Sequence, residues 1–220
     1  MTENILVVGA TGRVGRRLMQ ILQQDPNNNV FGSSSVKRDA DNMIELDLHA
    51  SFEDIRQTIR PFNKIFFTAG SRGKDLFQTD LMGNVKLIDA ADQVGVQRFV
   101  QLTGMGSLDP DSWRDPHFAS LQDYNVARHF ADKALLQSNL PYTLVQAASL
   151  TEAAPTGKVD LMPVAKNGQK ILSDFETPNE NTLDDVATVL AEVANFPRTT
   201  NHIIAMKNGA TPIQEALAAF

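Results

Sequence analysis

The run Ile5-Leu-Val-Val8, followed at once by Gly9-Ala-Thr-Gly12-Arg-Val-Gly15, constrains this chain more than any other feature in it. Four apolar residues without polar alternation describe a strand covered on both faces, the condition of a central strand in a parallel sheet. Beyond the glycines, Val14, Leu18, Ile21 and Leu22 recur at helical spacing over residues 14–24, and Pro26 lies where that helix has already stopped. Strand, glycine turn and helix make the first half of a βαβ unit. Glycines at this junction let the chain turn tightly, let a diphosphate approach the backbone and let the helix pack on the strand. The helix start adds free N–H groups and the positive end of its dipole. Gly9, Thr11, Gly12, Arg13, Val14 and Gly15 are therefore expected to hold a dinucleotide; the other reading is a turn kept only for packing.

The alternation continues along the chain. Strands are expected at residues 30–33, 43–46, 64–68, 99–102, 142–145 and 202–206, and helices at 52–59, 73–94, 121–138, 183–194 and 212–219. This is an α/β pattern: a doubly wound, mostly parallel Rossmann-type sheet with helices on both faces, in one NAD(P)-binding domain over residues 1–220. Residues 151–181, rich in Pro, Gly, Asn and Thr and without sustained periodicity, read as a lid or small substrate-side region. Composition narrows the function. With no cysteine there is neither thiolate nucleophile nor thiolate metal site, and the scattered histidines offer no ligand spacing, so no metal is expected. A net charge of -6 gives no attraction to a phosphate backbone, and nucleic acid is not an expected partner. No apolar stretch reaches membrane-spanning length and the amino terminus lacks the charge of an export signal, which makes the cytoplasm the default location.

The end of the second strand should choose the cofactor, because an acid there accepts from a ribose 2′-hydroxyl whereas cations meet a 2′-phosphate. Here the chain reads Gly32-Ser-Ser-Ser35-Val-Lys37-Arg38, with no acid before Asp39. Ser33, Ser35, Lys37 and Arg38 favour NADP(H), with NAD(H) still possible and a merely solvated basic loop as the alternative.

The Gly-x-x-Gly-x-x-Gly spacing resembles the short-chain dehydrogenase/reductase superfamily, in particular its atypical NAD(P)H-binding branch, which includes biliverdin/flavin reductase-like and NmrA-like proteins. Asp47-Leu48, Thr68-Ala-Gly-Ser71, Asn84, Arg98-Phe-Val-Gln-Leu-Thr103, Tyr124-x-x-x-Arg128, Leu140-Pro-Tyr-Thr-Leu-Val-Gln-Ala-Ala-Ser-Leu-Thr151, Thr182-Leu-Asp-Asp-Val-Ala187 and Thr211-Pro-Ile-Gln-Glu-Ala-Leu217 extend the likeness over nearly the whole chain. The resemblance implies that Arg13 joins the residues at a 2′-phosphate, that Asp47 and Leu48 meet adenine, that Ala69 and Gly70 pass beside the adenosine ribose, and that Gln146 stands near the nicotinamide. Asp47 has the alternative of an ordinary turn former.

In such reductases a Tyr exchanges a proton with the substrate oxygen, and a Lys four residues on holds the ribose and lowers the phenol's pKa. Tyr124 and Arg128 occupy those places here, with Arg in place of Lys. Thr103 stands where the resemblance implies a carbonyl-orienting hydroxyl. Gly104 follows it in place of a common second Ser, with Ser107 near enough to substitute, and Gln146-Ala147-Ala148 replaces Arg-Pro-Gly. Tyr124 read alone is a helix residue packing its ring on the core, and His129 beside Arg128 is a surface or partly buried helix residue. Trp113, in a Pro-flanked loop, reads as a plug tying that loop down or as a lid over a planar substrate.

Together these imply an NAD(P)H-dependent oxidoreductase acting on a small carbonyl, quinone, flavin or similar planar acceptor, as a monomer or weak homodimer. The alternatives are a non-catalytic NAD(P)-sensing regulator and a nucleoside-diphosphate-sugar epimerase or dehydratase.

Overall fold

The structure, a computed structural model, describes residues 2–114, 116–166 and 180–220. Strand β1 (Glu3–Val8) lies in the middle of a nine-stranded sheet among β2 (Asn28–Ser34), β3 (Met43–Glu45), β4 (Lys64–Phe67), β5 (Arg98–Gly104), β6 (Tyr142–Ala147), β8 (Lys158–Val164), β10 (His202–Asn208) and β11 (Thr211–Pro212). Its order is β11-β8-β10-β6-β5-β4-β1-β2-β3, parallel from β10 to β3, with β8 antiparallel to both β10 and β11. A separate parallel pair joins β7 (Ser149–Thr151) to β9 (Glu180–Thr182). The α/β class and the doubly wound parallel sheet are those expected from the sequence.

The all-apolar β1 serves both faces, as its lack of alternation requires. Leu6 and Val8 join Ile65, Phe67 and Phe99 beneath α2 (Phe52–Ile59), α3 (Asn84–Val94) and α4 (Gln122–Gln137). Ile5 and Val7 join Phe66, Val100 and Val145 beneath α1 (Arg13–Leu22), α5 (Leu183–Val193) and α6 (Ile213–Ala219). The order in which strands are added reverses at β1, with β2 on one side and β4 on the other, both parallel to it, and the crevice where such folds bind ligands opens there, at the carboxyl ends of the strands.

Two segments depart from the periodicity reading. Residues 73–94 are not one α-helix: a π-helix, Leu76–Gly83, runs into α3. At its end Gly83 lies so close to Leu48 that an added Cβ would sit 2.6 Å from the Leu48 Cβ, and within the π-helix Asp80 turns inward, 1% exposed. Residues 151–181 are not wholly a lid either, because β8 is a full strand of the central sheet; its Pro163 pairs with Ile204 on the β10 side, beyond the reach of the two-residue β11. Residues 167–179 of that region lie outside the described residues.

The buried face of α4 is unusual in being polar. Asn125, Arg128 and Asp132 share it with Ala127, Ala131 and Leu135, and it meets the carboxyl end of β5.

Candidate active site

At the crevice, Gly9 has φ +85°, and an added Cβ would lie 2.6 Å from the backbone of Ala69. A Cβ on Gly15 would run into the Gly9 carbonyl, so these two positions admit glycine alone without rearrangement. Gly12 caps α1 through its backbone only, which leaves the first-turn N–H groups facing the crevice without a side-chain acceptor.

Two cavities meet along Gly12, Thr68, Ala69 and Gly70. The first, about 500 Å³, is walled by Gly9, Thr11, Ser33, Ser34, Ser35, Asp47 and Leu48. The turn hydroxyl, the strand-end serines, the Asp47-Leu48 pair and Ala69-Gly70 thus line one cavity. Ser34, His49 and Thr79 belong to the same wall and were not singled out as site residues. Asp47 also does a turn former's work, its Oδ1 accepting from His49 N at 2.9 Å. His49 Nε2 and Thr79 Oγ1 lie 2.5 and 2.6 Å from Asp75 Oδ2, and these contacts, led by Thr79, hold the Asp75 carboxyl below the usual range.

The basic residues behave less uniformly. Arg38 and Lys37 are both exposed and line neither cavity, but Arg38 donates through Nε to the wall residue Ser34 at Oγ, 3.3 Å away. Arg13 is not on this side at all: it lines the second cavity and lies 3.7 Å from Glu152, because the first turn of α1 faces the β7 end of the crevice. Its expected place beside a 2′-phosphate is therefore corrected.

The second cavity, about 360 Å³, lies over the ends of β5 and β6, lined by Val14, Thr103, Gly104, Tyr124, Arg128, Ala147 and Ala148 among others. Tyr124 is half-buried in the wall, and a Cβ placed on Gly104 would lie 3.7 Å from its hydroxyl. Gln146 does not line the cavity; it is fully buried, and its Nε2 donates to Ser107 Oγ at 3.1 Å. Ser107 consequently supports the underside of the site. Trp113 acts as the plug, its indole N–H donating to Gly106 O at 2.9 Å and its ring edge-on to His129, whose Nδ1 lies 2.9 Å from Ser107 O.

Beneath Tyr124 lies a buried polar network that sequence reasoning found only in part. Arg128, 2% exposed, donates through Nε to Thr103 Oγ1 at 3.2 Å and through Nη2 to Leu102 O at 2.7 Å. Its charge is met by Asp132, 3.8 Å away and itself fully buried. Asp132 accepts from Gln101 Nε2 at 2.7 Å and from the Thr103 hydroxyl at 2.8 Å. Burial pushes its carboxyl up, against the opposing pull of Arg128 and the hydrogen bonds of Ser107, Thr103 and Gln101. Asp132 stands four residues beyond Arg128, a helical ion-pair spacing that could have revealed it.

Arg128 also lines the second cavity, and its charge acts on Tyr124 in the expected direction, though burial outweighs it. A cation free beside the phenol would lower its pKa, but burial pushes Tyr124 up from the ordinary range; Arg128 pulls the other way, and Asp132 and Asp80 add to the rise. Tyr124 is thus a neutral phenol, able to donate a proton rather than to act as a ready base.

A reversed-order parallel sheet, an obligatory glycine turn and a crevice divided into two joined cavities define a Rossmann-type dinucleotide-binding protein. Residues 9–197 match the NAD(P)H-binding family, and the chain belongs to it. This agrees with the resemblance drawn from the sequence. The chain is similar in structure to the oxidoreductase ylbE from Lactococcus lactis, with a TM-score of 0.86 and 32% identity over 99% of this chain and 96% of that one. In sequence it is 30% identical over 227 residues to the UPF0659 protein YMR090W of Saccharomyces cerevisiae, covering 96% of each. It is 28% identical over 224 residues to YhfK of Bacillus subtilis, named as an uncharacterized sugar epimerase, covering 97% of this chain and 98% of that protein. Among the described residues no helix is long and apolar enough to cross a membrane.

Proposed function

We propose that the protein is an NADP(H)-dependent reductase of a small planar acceptor, working in the cytoplasm as one NAD(P)-binding domain, monomeric or weakly dimeric. The observation that carries this reading is the pair of joined cavities, one walled by three serines with Arg38 donating to Ser34 and no acid at the end of β2, the other lined by the Tyr124 phenol. The residues fit the cofactor: the glycine turn leaves backbone where a diphosphate needs it, Asp47 and Leu48 border the space for adenine, and Ser33, Ser35 and Arg38 suit a 2′-phosphate. When bound there, the nicotinamide supplies hydride. Tyr124 gives its phenolic proton to the acceptor oxygen, and the Ala147, Ala148, Leu102 and Met105 walls exclude water from the reacting face. Thr103, held between Asp132 and Arg128, fixes the floor beneath that proton.

The name carried by YhfK motivates an epimerase as the second reading. That chemistry needs a tyrosine that takes a proton readily, and a phenol pushed up by burial disfavours it. Calorimetric titration with NADPH and NADH tests the proposal. NADPH is expected to bind more tightly, and Arg38→Ala is expected to weaken NADPH about two- to fivefold, the scale of an exposed ion pair, with a smaller effect on NADH. Equal loss for both cofactors would remove Arg38 from the phosphate site, and no binding of either would overturn the reductase reading.

A further inference from the structure

A third cavity, about 580 Å³, adjoins the second and shares Arg72, Leu121 and Tyr124 with it. Its wall adds Leu76, Ser120, Gln122 and Asp123. Tyr124 therefore stands at a junction, with room for a reacting ring on one side and for a substituent of that ring on the other. Arg72 stands at the same junction. Of the arginines lining the second cavity, two already have carboxylates: Arg13 lies 3.7 Å from Glu152, and Arg128 lies 3.8 Å from Asp132. Arg72 is exposed and has neither an ion pair nor a hydrogen bond among the described residues. The acids that follow it are engaged elsewhere, Asp75 with His49 and Thr79, and Asp80 through Oδ2 with Ser71 N. Its backbone is held at φ +56°, in the left-handed region that an arginine seldom adopts, and residues so held collect where ligands are gripped.

We propose that Arg72 selects acceptors whose ring carries an anionic substituent: the reacting carbonyl lies against Tyr124 in the second cavity, and the charged group meets Arg72 where the two cavities join. A guanidinium offers donors and charge but no acceptor, so it favours a carboxylate over a neutral ester of the same shape. Leu76 and Leu121 supply apolar cover for the stem of the substituent. The charge belongs at the junction rather than deeper in the third cavity, because Asp123 lines that cavity without lining the second and would repel an anion there. The substituent is accordingly short. The proposal rests on the reductase reading for the reaction but not for the binding.

4-Formylbenzoate and its methyl ester test the selection. Both are planar and carry the same aldehyde, which takes hydride at carbon and a proton at oxygen to become an alcohol, but only the acid is charged. Their intrinsic reactivities differ, so the quantity to follow is the acid-to-ester ratio in each variant relative to wild type. Arg72→Gln is expected to lower that ratio about two- to fivefold, both in kcat/KM with NADPH and in affinity for the NADP+-bound protein, the scale of an exposed ion pair. Arg72→Glu should lower it further, and Arg72→Lys should keep most of it. Salt at about 1 M, which screens charges beyond roughly 3 Å, should bring wild type to the level of Arg72→Gln. A ratio unchanged in both Arg72→Gln and Arg72→Glu overturns the proposal. So does a loss of NADP+ affinity in Arg72→Gln with the ratio unchanged, since Arg72 would then serve the cofactor phosphates, and so does failure of the wild type to bind the acid at millimolar concentration. A charge-dependent affinity ratio without turnover of either compound would sink the reductase reading and leave this selection standing. Failure to bind NADPH would sink that reading alone, the affinity ratio then being measured on the protein by itself.

Discussion

Asp132→Ala is expected to cost about 3–5 kcal/mol of folding stability, because it leaves the Arg128 charge buried without its counter-ion. Arg128 is 2% exposed, and the bonds it keeps, to Thr103 Oγ1 and Leu102 O, carry no formal negative charge. The loss also strands Gln101 Nε2 and the Thr103 hydroxyl, which now donate to Asp132. For a chain of this length the melting temperature should fall by about 6–20 °C. Urea unfolding would measure the free energy, and a change below about 1 kcal/mol would show that water or neighbouring groups satisfy Arg128 without the carboxylate. The double variant Arg128→Met/Asp132→Leu separates charge from packing. Removing both ions together should restore much of the loss, since a buried pair replaced by apolar groups is often near neutral.

That pair also shows where sequence reasoning stopped. The Tyr124-x-x-x-Arg128 spacing was legible because residues four apart share a helix face, but spacing does not say whether the cation points at the cofactor or at another side chain. Arg128 lines the cavity and also pairs with Asp132, whose influence depends on complete burial, a property of the packed α4–β5 contact. The glycine turn was legible for the opposite reason: the constraints at Gly9 and Gly15 arise within a few residues of chain and from one close strand. β1 was legible from its missing alternation. β8 was not, because Asp160 and Pro163 interrupt its apolar pattern, and only the reach of β11 and β10 makes a proline acceptable there. The π-helix escaped because the periodicity of residues 73–94 does not separate 3.6 residues per turn from a wider turn, while the inward Asp80 depends on a tertiary bond to Ser71 N. Gln146 went astray by analogy of position: it was expected near the nicotinamide, yet its side chain is directed to Ser107, and the cavity wall is made by Ala147 and Ala148.

Tyr124→Phe is expected to lower kcat about 10²–10⁴-fold with the acceptor that the protein uses, the contribution of a positioned general acid. The variant removes one oxygen from a half-buried ring whose hydroxyl overlooks Gly104, so cofactor affinity should change little and the loss should appear in kcat rather than in the Kd for NADPH. The pH dependence gives an independent reading. Burial holds the phenol above its ordinary value of about 10. A donor must be protonated, so the wild-type rate should be flat from about pH 6 to pH 9 and decline only when pH climbs through the raised value. A tyrosine activated by a free cation would instead lose its proton, and with it the rate, well below pH 10. The same displacement acts on folding: the unfolded phenol ionises near 10 while the folded one resists, so any stability linked to Tyr124 is fully present below about pH 10 and is lost as pH rises through the folded value. A basic limb near neutral pH that vanished in Tyr124→Phe would show the phenol titrating in the working range and would overturn the neutral-acid assignment. An unchanged kcat in that variant would instead transfer the proton step to solvent, leaving hydride delivery and the shape of the second cavity as the protein's whole contribution.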